Sequence, residues 1–452
     1  MDSARCALFL TGALALGACS ANGGLSAEPG VMVVSARHMT SKIKHVVIII
    51  QENRSFNNLF YGFKGATTAG YGYASDGEKV ALRPVVLETT WDVGHSAWTF
   101  FDSCNGTGTM PGTKCQMNGF DKTGVGCGGP GNPPCPYKYP SYAYVPHRET
   151  KPYFAMGEQY VLADQMYQSN LDGSSFVAHQ FLIAGQAASS VNYPTGFPWG
   201  CDAPTSSGVP TIGRQRQITP YVYQQTCFNY DTIGSEADRA GVTWSFYTGN
   251  MLYDGGDWNA YQAVRPIYYG DDWHKDVFVP ATRFFTAVKR GNLRQITWIT
   301  PTDENSDHAG AGSNTGPSWV ASLVNAIGKS KYWDSTAIFI TWDDYGGWYD
   351  PEPPAYVDYD GLGFRIPMLV VSAYAKKGYV SHVHYEFGSI LKFVEDQFGL
   401  PRLAASDRRA TSPEEDFFDF TQPPRAFHAI QSDYSTDYFL HQPPDFRPPD
   451  TE

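Results

Sequence analysis

The chain has 452 residues, of which 42% are hydrophobic and 15% are aromatic, and its formal net charge is −12. This length suits one large domain or two ordinary ones, and the apolar content is sufficient for a sizeable core. An acidic chain without runs of lysine and arginine lacks the clustered positive charge that binds a phosphate backbone, so we expect no nucleic-acid partner.

The N-terminus has the features of an export signal. Residues 7–16 form an apolar run that is too short to span a bilayer and is typical of a signal peptide. Small residues directly precede Cys19, as in the cleavage box of bacterial lipoproteins. We therefore predict a signal peptide at 1–18, a lipid anchor on Cys19, a tether at 19–41 and export to the periplasm, the outer membrane or the medium. Ordinary signal cleavage nearby is the alternative.

Apolar runs and helical patterns alternate from residue 43 onward. The predicted strands cover 43–50, 242–247, 295–300, 336–342 and 365–371. The predicted helices cover 175–186, 282–290, 317–330 and 385–398. Alternation of this kind is typical of a mostly parallel sheet with helices on both faces.

Residues 102–146 interrupt this alternation, because they are rich in glycine, proline and cysteine. An even number of cysteines in an exported chain indicates disulfides but leaves their pairing open; those beyond Cys19 are Cys104, Cys115, Cys127, Cys135, Cys201 and Cys227. We interpret 102–146 as a loop insertion held by disulfides. A cysteine zinc site fits less well, since the spacings are irregular and contain no C-x-x-C motif. The insertion belongs to a catalytic domain predicted at 42–412, with a proline-rich tail at 413–452 packed on it.

Polar side chains follow two of the predicted strands, at the edge where open parallel sheets bind ligands. Glu52 and Asn53 follow the first strand, and three aspartates follow a later one: Asp343, Asp344 and Asp350. Carboxylate and amide oxygens suit hard divalent cations such as Ca²⁺, Mg²⁺ or Mn²⁺. Each cluster alone also fits a turn or a helix cap, but two clusters at equivalent sheet edges favour a shared metal site.

Three further positions offer reacting groups. Ser175 lies in the first turn of a predicted helix, where free N–H groups and the helix dipole favour an anion or an ionised serine oxygen. The alternative is that Ser174 or Ser175 is only an N-cap. His95 and His308 lie near acidic residues in loops and could hold phosphate oxygens or protonate a leaving group. A lone histidine in a loop is more often simply solvated.

In chain order, these stretches resemble the phosphoesterase family that holds bacterial phospholipases C and the related acid phosphatases. The ENRSF stretch at 52–56 is similar to the opening motif of that family, and the DDYGGWYD stretch at 343–350 is similar to its late acidic motif. The GFRIPMLVVS stretch at 363–372 is similar to the block that follows. The resemblance covers roughly residues 42–400 and implies an α/β fold, an alkaline-phosphatase-like three-layer α/β/α sandwich.

The resemblance also implies roles for individual residues. Ser175 falls at the position of the nucleophile, and His95 and His308 fall near positions that contact the substrate phosphate. One divalent cation, Ca²⁺, Mg²⁺, Mn²⁺ or Zn²⁺, is expected on the residues that match the cation ligands of the family: Glu52, Asn53, Ser175, Asp343 and Asp344. We expect Arg54 to clamp the turn by pairing with a carboxylate rather than to face the substrate.

Departures from the phospholipase branch favour small phosphomonoesters. The nucleophile stretch lacks both prolines of the phospholipase motif G-P-T-x-P-N-R, Pro351 stands where the family often has histidine, and Asp344 stands where phospholipases tend to have glutamate. We therefore hypothesise an acid-phosphatase-like hydrolase that forms a phosphoserine at Ser175. A phospholipase C that cleaves phospholipid diesters is the nearest alternative. A sulfatase, whose C-x-P-x-R or S-x-P-x-R motif is missing, and a non-catalytic surface lipoprotein are weaker alternatives.

Overall fold

The computed structural model describes residues 41–223, 226–253 and 256–447. The predicted signal peptide, the predicted lipid anchor at Cys19 and the predicted tether up to residue 40 lie outside these residues. Among the helices in the described ranges, none combines the length and the apolar character that a bilayer crossing requires.

A central nine-stranded sheet forms the framework of the fold. In chain order its strands are β1 (His45–Gln51), β2 (Val161–Tyr167), β3 (Trp244–Tyr247), β4 (Val277–Phe278), β5 (Ile296–Ile299), β6 (Thr336–Trp342), β7 (Arg365–Ser372), β8 (Tyr379–Ser381) and β9 (Tyr385–Glu386). Their order across the sheet is β4-β3-β5-β1-β6-β7-β2-β8, and β9 also pairs with β2. Only β7 runs antiparallel to its neighbours within the described sheet, which confirms the mostly parallel arrangement.

Helices connect these strands and cover the sheet. In chain order they are α1 (Phe56–Phe60), α2 (Ala97–Cys104), α3 (Lys151–Gln159), α4 (Ser175–Ala184), α5 (Ile233–Ala240), α6 (Arg265–Tyr268), α7 (Asp272–Lys275), α8 (Arg283–Arg290), α9 (Gly316–Gly328), α10 (Phe387–Phe398), α11 (Ala405–Arg409), α12 (Glu414–Phe417) and α13 (Thr436–His441). Short two-stranded sheets lie outside the central one, and they pair Tyr71–Tyr73 with Lys79–Ala81, Arg83–Pro84 with Ala143–Tyr144, and Gly208–Ile212 with Ile218–Tyr223.

Strand β6 shows how the helices form two layers. Phe339 packs against Phe393 of α10, whereas Trp342 packs against Tyr153 of α3. Residues an odd number of positions apart point to opposite faces of a strand, so α10 and α3 lie on opposite sides of the sheet. Helices α4 and α5 contact α10, and helix α9 contacts both α3 and α8. The three-layer α/β/α sandwich expected from the sequence is therefore confirmed.

Strand β2 was not predicted from the sequence. Its sequence, VLADQMY, places Asp164 and Gln165 in the middle of a fully buried strand, and these polar residues hide the apolar pattern. Other segments satisfy the buried carboxylate, since Asp164 Oδ2 accepts a hydrogen bond from the Thr67 N–H at 2.7 Å. The strand matters for function, because it leads directly into the segment that carries Ser175.

Within the described ranges, three disulfides join Cys104 to Cys115, Cys127 to Cys135 and Cys201 to Cys227. The first two lie inside the 102–146 insertion, so the expectation that disulfides hold this loop is confirmed. Between them, the side chain of Phe120 is fully buried and packs edge-on against Tyr349. The insertion therefore has its own contact with the core, in addition to its covalent links.

The C-terminal part of the described chain contacts helices on both faces of the sheet, since Phe418 stacks on Phe393 of α10. Phe439 of α13 is buried and packs against Trp319 of α9. The indole N–H of Trp333 donates to the Arg425 carbonyl oxygen at 2.6 Å. The division of this region into a catalytic domain ending at residue 412 and a separate tail stays a prediction.

Candidate active site

The register between β1 and β6 brings two carboxylates to one edge of the sheet. Gln51 is the partner of Trp342 in these parallel strands, and the Asp343 N–H donates to the Gln51 carbonyl oxygen at 2.9 Å. Glu52 and Asp343 therefore follow neighbouring strands at the same level, and both side chains are fully buried. This is the carboxyl end of the sheet, where open α/β folds bind ligands.

Asn53 lies between this acidic pair and the two candidate histidines. Its backbone adopts a left-handed conformation with φ of 54°, which asparagine tolerates better than most residues. Its backbone N–H donates to Asp343 Oδ1 at 3.1 Å. Its amide nitrogen lies 2.9 Å from His95 Nε2 and 2.8 Å from His308 Nε2. Asn53 thus joins the acidic side of the site to the histidine side.

The amide oxygen of Asn53 faces other oxygens. It lies 3.0 Å from Asp343 Oδ1 and 3.1 Å from Glu52 Oε2, and none of these three atoms brings a proton to the others. Turning the amide by half a rotation would let its nitrogen donate to both carboxylates. In that orientation the amide oxygen would accept from Nε2 of both His95 and His308.

Ser175 begins α4, immediately after the loop that leaves β2. Asp172 fixes this loop by accepting hydrogen bonds from the Ser174 N–H at 2.7 Å, from Ser174 Oγ at 2.9 Å and from the Asn192 N–H at 2.7 Å. The Ser175 hydroxyl donates to Glu52 Oε2 at 3.3 Å. Ser174 occupies the N-cap position of the helix without a side-chain cap bond, and Ser175 is the first helical residue, so the N-cap alternative holds for Ser174 but not for Ser175.

His95 and His308 lie side by side with their ring centroids 6.0 Å apart. Their exposed fractions are only 1% and 3%, so the reading of these residues as solvated loop histidines is wrong. Nδ1–H of His95 donates to the Val93 carbonyl oxygen at 2.7 Å, and Nδ1–H of His308 donates to the Ala309 carbonyl oxygen. These bonds hold both Nε2 atoms toward Asn53. The Tyr193 hydroxyl also lies 3.1 Å from His95 Nε2.

His179 is a residue of the site that the sequence analysis missed. It lies four residues after Ser175 on α4, and residues with this spacing share one face of a helix. Its Nε2 atom lies 3.0 Å from Glu52 Oε1 and 3.6 Å from Asp343 Oδ2, and the side chain is buried. The i, i+4 spacing from Ser175 was the available signal, but it becomes informative only once Ser175 is placed against Glu52.

The buried carboxylates compete for positive charge. Burial raises the pKa of Glu52 well above its ordinary value, and the charge of Asp343 raises it further. Burial and the charge of Asp343 also raise the pKa of Asp344. Burial acts in the same direction on Asp343, but the nearby His179 side chain outweighs it and lowers that pKa. The described side chains therefore supply less positive charge than three ionised carboxylates need.

Asp344 and Asp350 have different places in the structure. Asp344 Oδ1 accepts from the Gly346 N–H at 2.6 Å, while its other carboxylate oxygen is buried without a hydrogen-bond partner among the described residues. Asp350 instead forms a buried ion pair with Arg365, with Oδ1 at 3.0 Å from the guanidinium Nε. The expectation that Asp350 belongs with the oxygen donors of the sheet edge is therefore wrong.

Arg54 is fully buried behind the site. Its Nε–H donates to the Asp307 carbonyl oxygen at 2.7 Å, and its guanidinium lies 4.9 Å from the centroid of the Trp348 ring. The side chain thus fixes the turn after β1, as expected. It does so through a backbone carbonyl rather than through the carboxylate that we expected.

The chain has several curated relatives, all of them distant. It is 24% identical over 411 residues to the non-hemolytic phospholipase C of Burkholderia pseudomallei, in an alignment that covers 79% of this chain and 55% of the relative. It is 22% identical over 447 residues to phospholipase C B of Mycobacterium tuberculosis, where the coverage is 86% and 79%. The chain thus spans about half the length of the first relative and most of the second.

Solved structures with a similar chain trace are also distant in sequence. A protein in the alkaline phosphatase superfamily from Vibrio parahaemolyticus has 11% identity and a TM-score of 0.37, with 83% of this chain and 72% of that chain covered. The model of the Phosphoesterase family matches residues 43–401, which include every residue of the site described above. The chain therefore belongs to the Phosphoesterase family.

Proposed function

We propose that this protein is a metal-dependent phosphoric ester hydrolase with Ser175 as its nucleophile. The observation that carries the proposal is the position of the Ser175 hydroxyl, which opens a helix and lies 3.3 Å from Glu52 Oε2 in a buried acidic cluster. A serine that served only to start a helix would gain nothing from burial against carboxylates. A nucleophilic serine, in contrast, benefits from this position, because the same acidic cluster can bind a cation that activates its hydroxyl.

The residues of the site fit a divalent cation. Asp343 Oδ2 and Asp344 Oδ2 are buried without hydrogen-bond partners among the described residues, and the Asn53 amide lies within about 3.1 Å of Glu52 Oε2 and Asp343 Oδ1. The residues that would hold the cation are Glu52, Asn53, Ser175, Asp343 and Asp344. When bound, it would supply positive charge and Lewis acidity to the reacting groups.

Side chains and backbone N–H groups of the protein carry out the other steps of the proposed reaction. Ser175 Oγ gives its proton to Glu52 Oε2, the acceptor of its hydrogen bond, and attacks phosphorus in line, forming the Oγ–P bond while the P–O bond to the leaving alcohol breaks. The leaving oxygen takes a proton from a histidine or from water, and His95 and His308 are the candidate histidines because backbone carbonyls hold their Nδ1–H groups and leave Nε2 facing the site. The first-turn N–H groups of α4 and the two imidazoles stabilise charge on the other phosphoryl oxygens. Water then cleaves the Oγ–P bond and releases inorganic phosphate.

Small phosphomonoesters are the substrates that we propose first. The motif departures around Ser175 and Asp344 support them, as does the nearly complete burial of the reacting side chains, which suits a small group. A phospholipase C activity is the second candidate, because the curated relatives are named phospholipases C. The same residues would serve both reactions, so only the leaving group and its pocket distinguish them.

The test compares the release of p-nitrophenol from p-nitrophenyl phosphate and from p-nitrophenylphosphorylcholine, with and without added divalent metal. Release from the monoester alone supports the phosphatase, and release from the choline ester supports the phospholipase C. Ser175→Ala should lower turnover at least about 1,000-fold on either ester. Ser174→Ala is the matched control, because its hydroxyl bonds to Asp172 rather than to the acidic cluster. Substantial turnover by Ser175→Ala would exclude the nucleophile assignment.

A further inference from the structure

His179 brings the only nitrogen donor that the described residues place directly between Glu52 and Asp343. It is 1% exposed, and it lies on α4, the same helix that holds Ser175. Its Nε2 points at the carboxylates rather than along the helix surface.

The spacing of the donor atoms is that of ligands in one coordination shell. Glu52, His179 and Asp343 each place a ligand atom within 4.8 Å of the other two. His179 Nε2 is 3.0 Å from Glu52 Oε1 and 3.6 Å from Asp343 Oδ2. Ligands bonded to one Zn²⁺ at roughly 2.0–2.1 Å lie about 3 to 3.5 Å apart. The three side chains are therefore already arranged at ligand-to-ligand distances.

The surroundings of the second ring nitrogen of His179, Nδ1, also suit a metal ligand. His179 Nδ1 is buried and has no hydrogen-bond partner among the described residues. His179, Asp257 and Asn259 line one small cavity of about 10 Å³, so an acidic side chain lies close to the imidazole. Histidines that bind a metal through one ring nitrogen typically donate the other N–H to a carboxylate or a backbone carbonyl, so this arrangement suits a ligand at Nε2.

An imidazole ligand changes which cation a site prefers. Oxygen donors alone suit Ca²⁺ and Mg²⁺, whereas imidazole suits Zn²⁺ and other first-row transition metals. We propose that His179 Nε2 is a ligand of the cation held by Glu52, Asn53 and Asp343, and that the site consequently selects a zinc-like transition metal over Ca²⁺ and Mg²⁺. The inference rests on the proposed function only in placing a cation at this site.

The test measures metal binding directly. The full chain, freed of metal by chelation, is titrated with Zn²⁺, Mn²⁺, Ca²⁺ and Mg²⁺ by isothermal calorimetry. The native chain should bind Zn²⁺ at least about 100-fold more tightly than Ca²⁺ or Mg²⁺. His179→Gln keeps a side chain that can hydrogen-bond Glu52 but offers no imidazole. This variant should bind Zn²⁺ about 100-fold more weakly, while its affinity for Mg²⁺ changes less than about threefold.

A spectroscopic readout reports the bond itself. Electron spin echo modulation of the Mn²⁺-loaded native chain should show a directly coordinated imidazole nitrogen, and His179→Gln should lose that signal. His382→Gln is the matched control, since His382 is exposed and pairs with Asp164 outside the site. If His179→Gln does not fold, the spectrum and the metal preference of the native chain alone decide the question.

The outcomes separate this inference from the proposed function. Unchanged Zn²⁺ affinity in His179→Gln, a native preference for Ca²⁺ or Mg²⁺, or the absence of a nitrogen signal in the native chain each overturns the ligand assignment, whether or not esters are hydrolysed. A nitrogen signal that depends on His179, together with no hydrolysis of either p-nitrophenyl ester, supports the ligand assignment and overturns the proposed function.

Discussion

Gln51 and Trp342 lie side by side in parallel register, and the next residue of each strand is a buried carboxylate. Glu52 and Asp343 are separated by almost 300 residues in sequence, yet this single register pair makes them neighbours. A slip of one residue between the strands would turn one carboxylate to the opposite face of the sheet. The acidic side of the site thus depends on the same hydrogen-bond ladder that holds the core of the sheet.

The first prediction concerns the metal dependence of stability. A ligand that binds only the folded state stabilises it by about 2.7 kcal/mol at 100 times its dissociation constant. Saturating divalent metal should therefore raise the unfolding temperature of the native chain. Asp343→Asn should lose most of this increase, because the variant removes a charged oxygen from the centre of the cluster. Thermal unfolding with and without a chelator measures the effect.

The control for Asp343→Asn is Asp437→Asn, which removes the same charge from an exposed position of α13. Its metal-dependent increase in unfolding temperature should equal that of the native chain. An equal increase in Asp343→Asn would mean that the cation, if one binds, does not use this carboxylate.

The sequence predicted the parts of the fold in which burial produces a regular pattern. Strand β6 reads as a mostly apolar run, TAIFITW, and Asp343 stands out after its end. Strand β2 contains Asp164 in a fully buried position, and contacts from the distant Thr67 N–H and the His382 ring make that placement tolerable. A residue whose burial depends on a partner far away in sequence leaves no periodic signal, so β2 was missed.

The same reason limits how far the site could be predicted. Glu52 and Asn53 follow an obvious strand, and Ser175 opens an obvious helix. His179 looks like one more residue on an apolar helix until Glu52 is placed 3.0 Å away. For Asp350 the error was the opposite one, because the sequence predicted an oxygen donor of the site. The residue stands in an acidic motif, but its side chain pairs with Arg365, and the sequence alone does not reveal that ion pair.

The second prediction concerns the turn after Asp344. Gly346 has a φ of +60°, and a Cβ atom added there would lie 2.0 Å from the Asn53 carbonyl oxygen. Gly346→Ala should therefore destabilise the fold by on the order of 1–3 kcal/mol, and it should displace Asn53 from the acidic pair. We expect a lower urea midpoint together with weaker metal binding.

A matched control for this variant is Gly77→Ala, at an exposed turn with a φ of +89° and no atom near the added Cβ. This change carries backbone strain without a steric conflict, and it lies away from the site. It should lower stability but leave metal affinity unchanged. If Gly346→Ala behaves in the same way, close packing against Asn53 does not hold the metal site.

The third prediction concerns the pH dependence of stability. Burial, followed by the charge of Asp358, raises the pKa of Asp360 to about 8. The unfolded carboxyl has an ordinary pKa of about 4, so between about pH 4 and about pH 8 the folded chain binds more protons than the unfolded chain. The stabilising contribution of this group is full below that window and is lost as the pH rises through it.

Asp360→Asn does not titrate, so its stability relative to the native chain should improve as the pH rises from 5 to 8. The gain is limited to about 1.4 kcal/mol per pH unit for one proton. Urea unfolding of both chains at several pH values in this range measures the difference. A difference that stays constant, or that changes in favour of the native chain, would show that Asp360 ionises freely in the folded state.

The last prediction separates the structural carboxylate of the late motif from its metal-site carboxylates. Asp350 and Arg365 are both fully buried, and Asp350 Oδ2 also accepts from the Asn57 N–H at 3.0 Å. Replacing one partner of a buried ion pair leaves the other charge uncompensated, which typically costs about 3–5 kcal/mol. Asp350→Asn should therefore strongly lower the urea midpoint while it leaves the metal affinity of the folded chain nearly unchanged.

Asp343→Asn should show the reverse pattern, with weak metal binding and a smaller loss of stability in the absence of metal, because it relieves repulsion among the buried carboxylates. The double variant Asp350→Leu and Arg365→Met tests the ion pair itself. It should recover part of the stability lost in Asp350→Asn, since no buried charge is then left alone. Asp350→Asn could instead lose as much metal affinity as Asp343→Asn does. That result would show that Asp350 contributes to metal binding, and it would refute a purely structural role for its ion pair with Arg365.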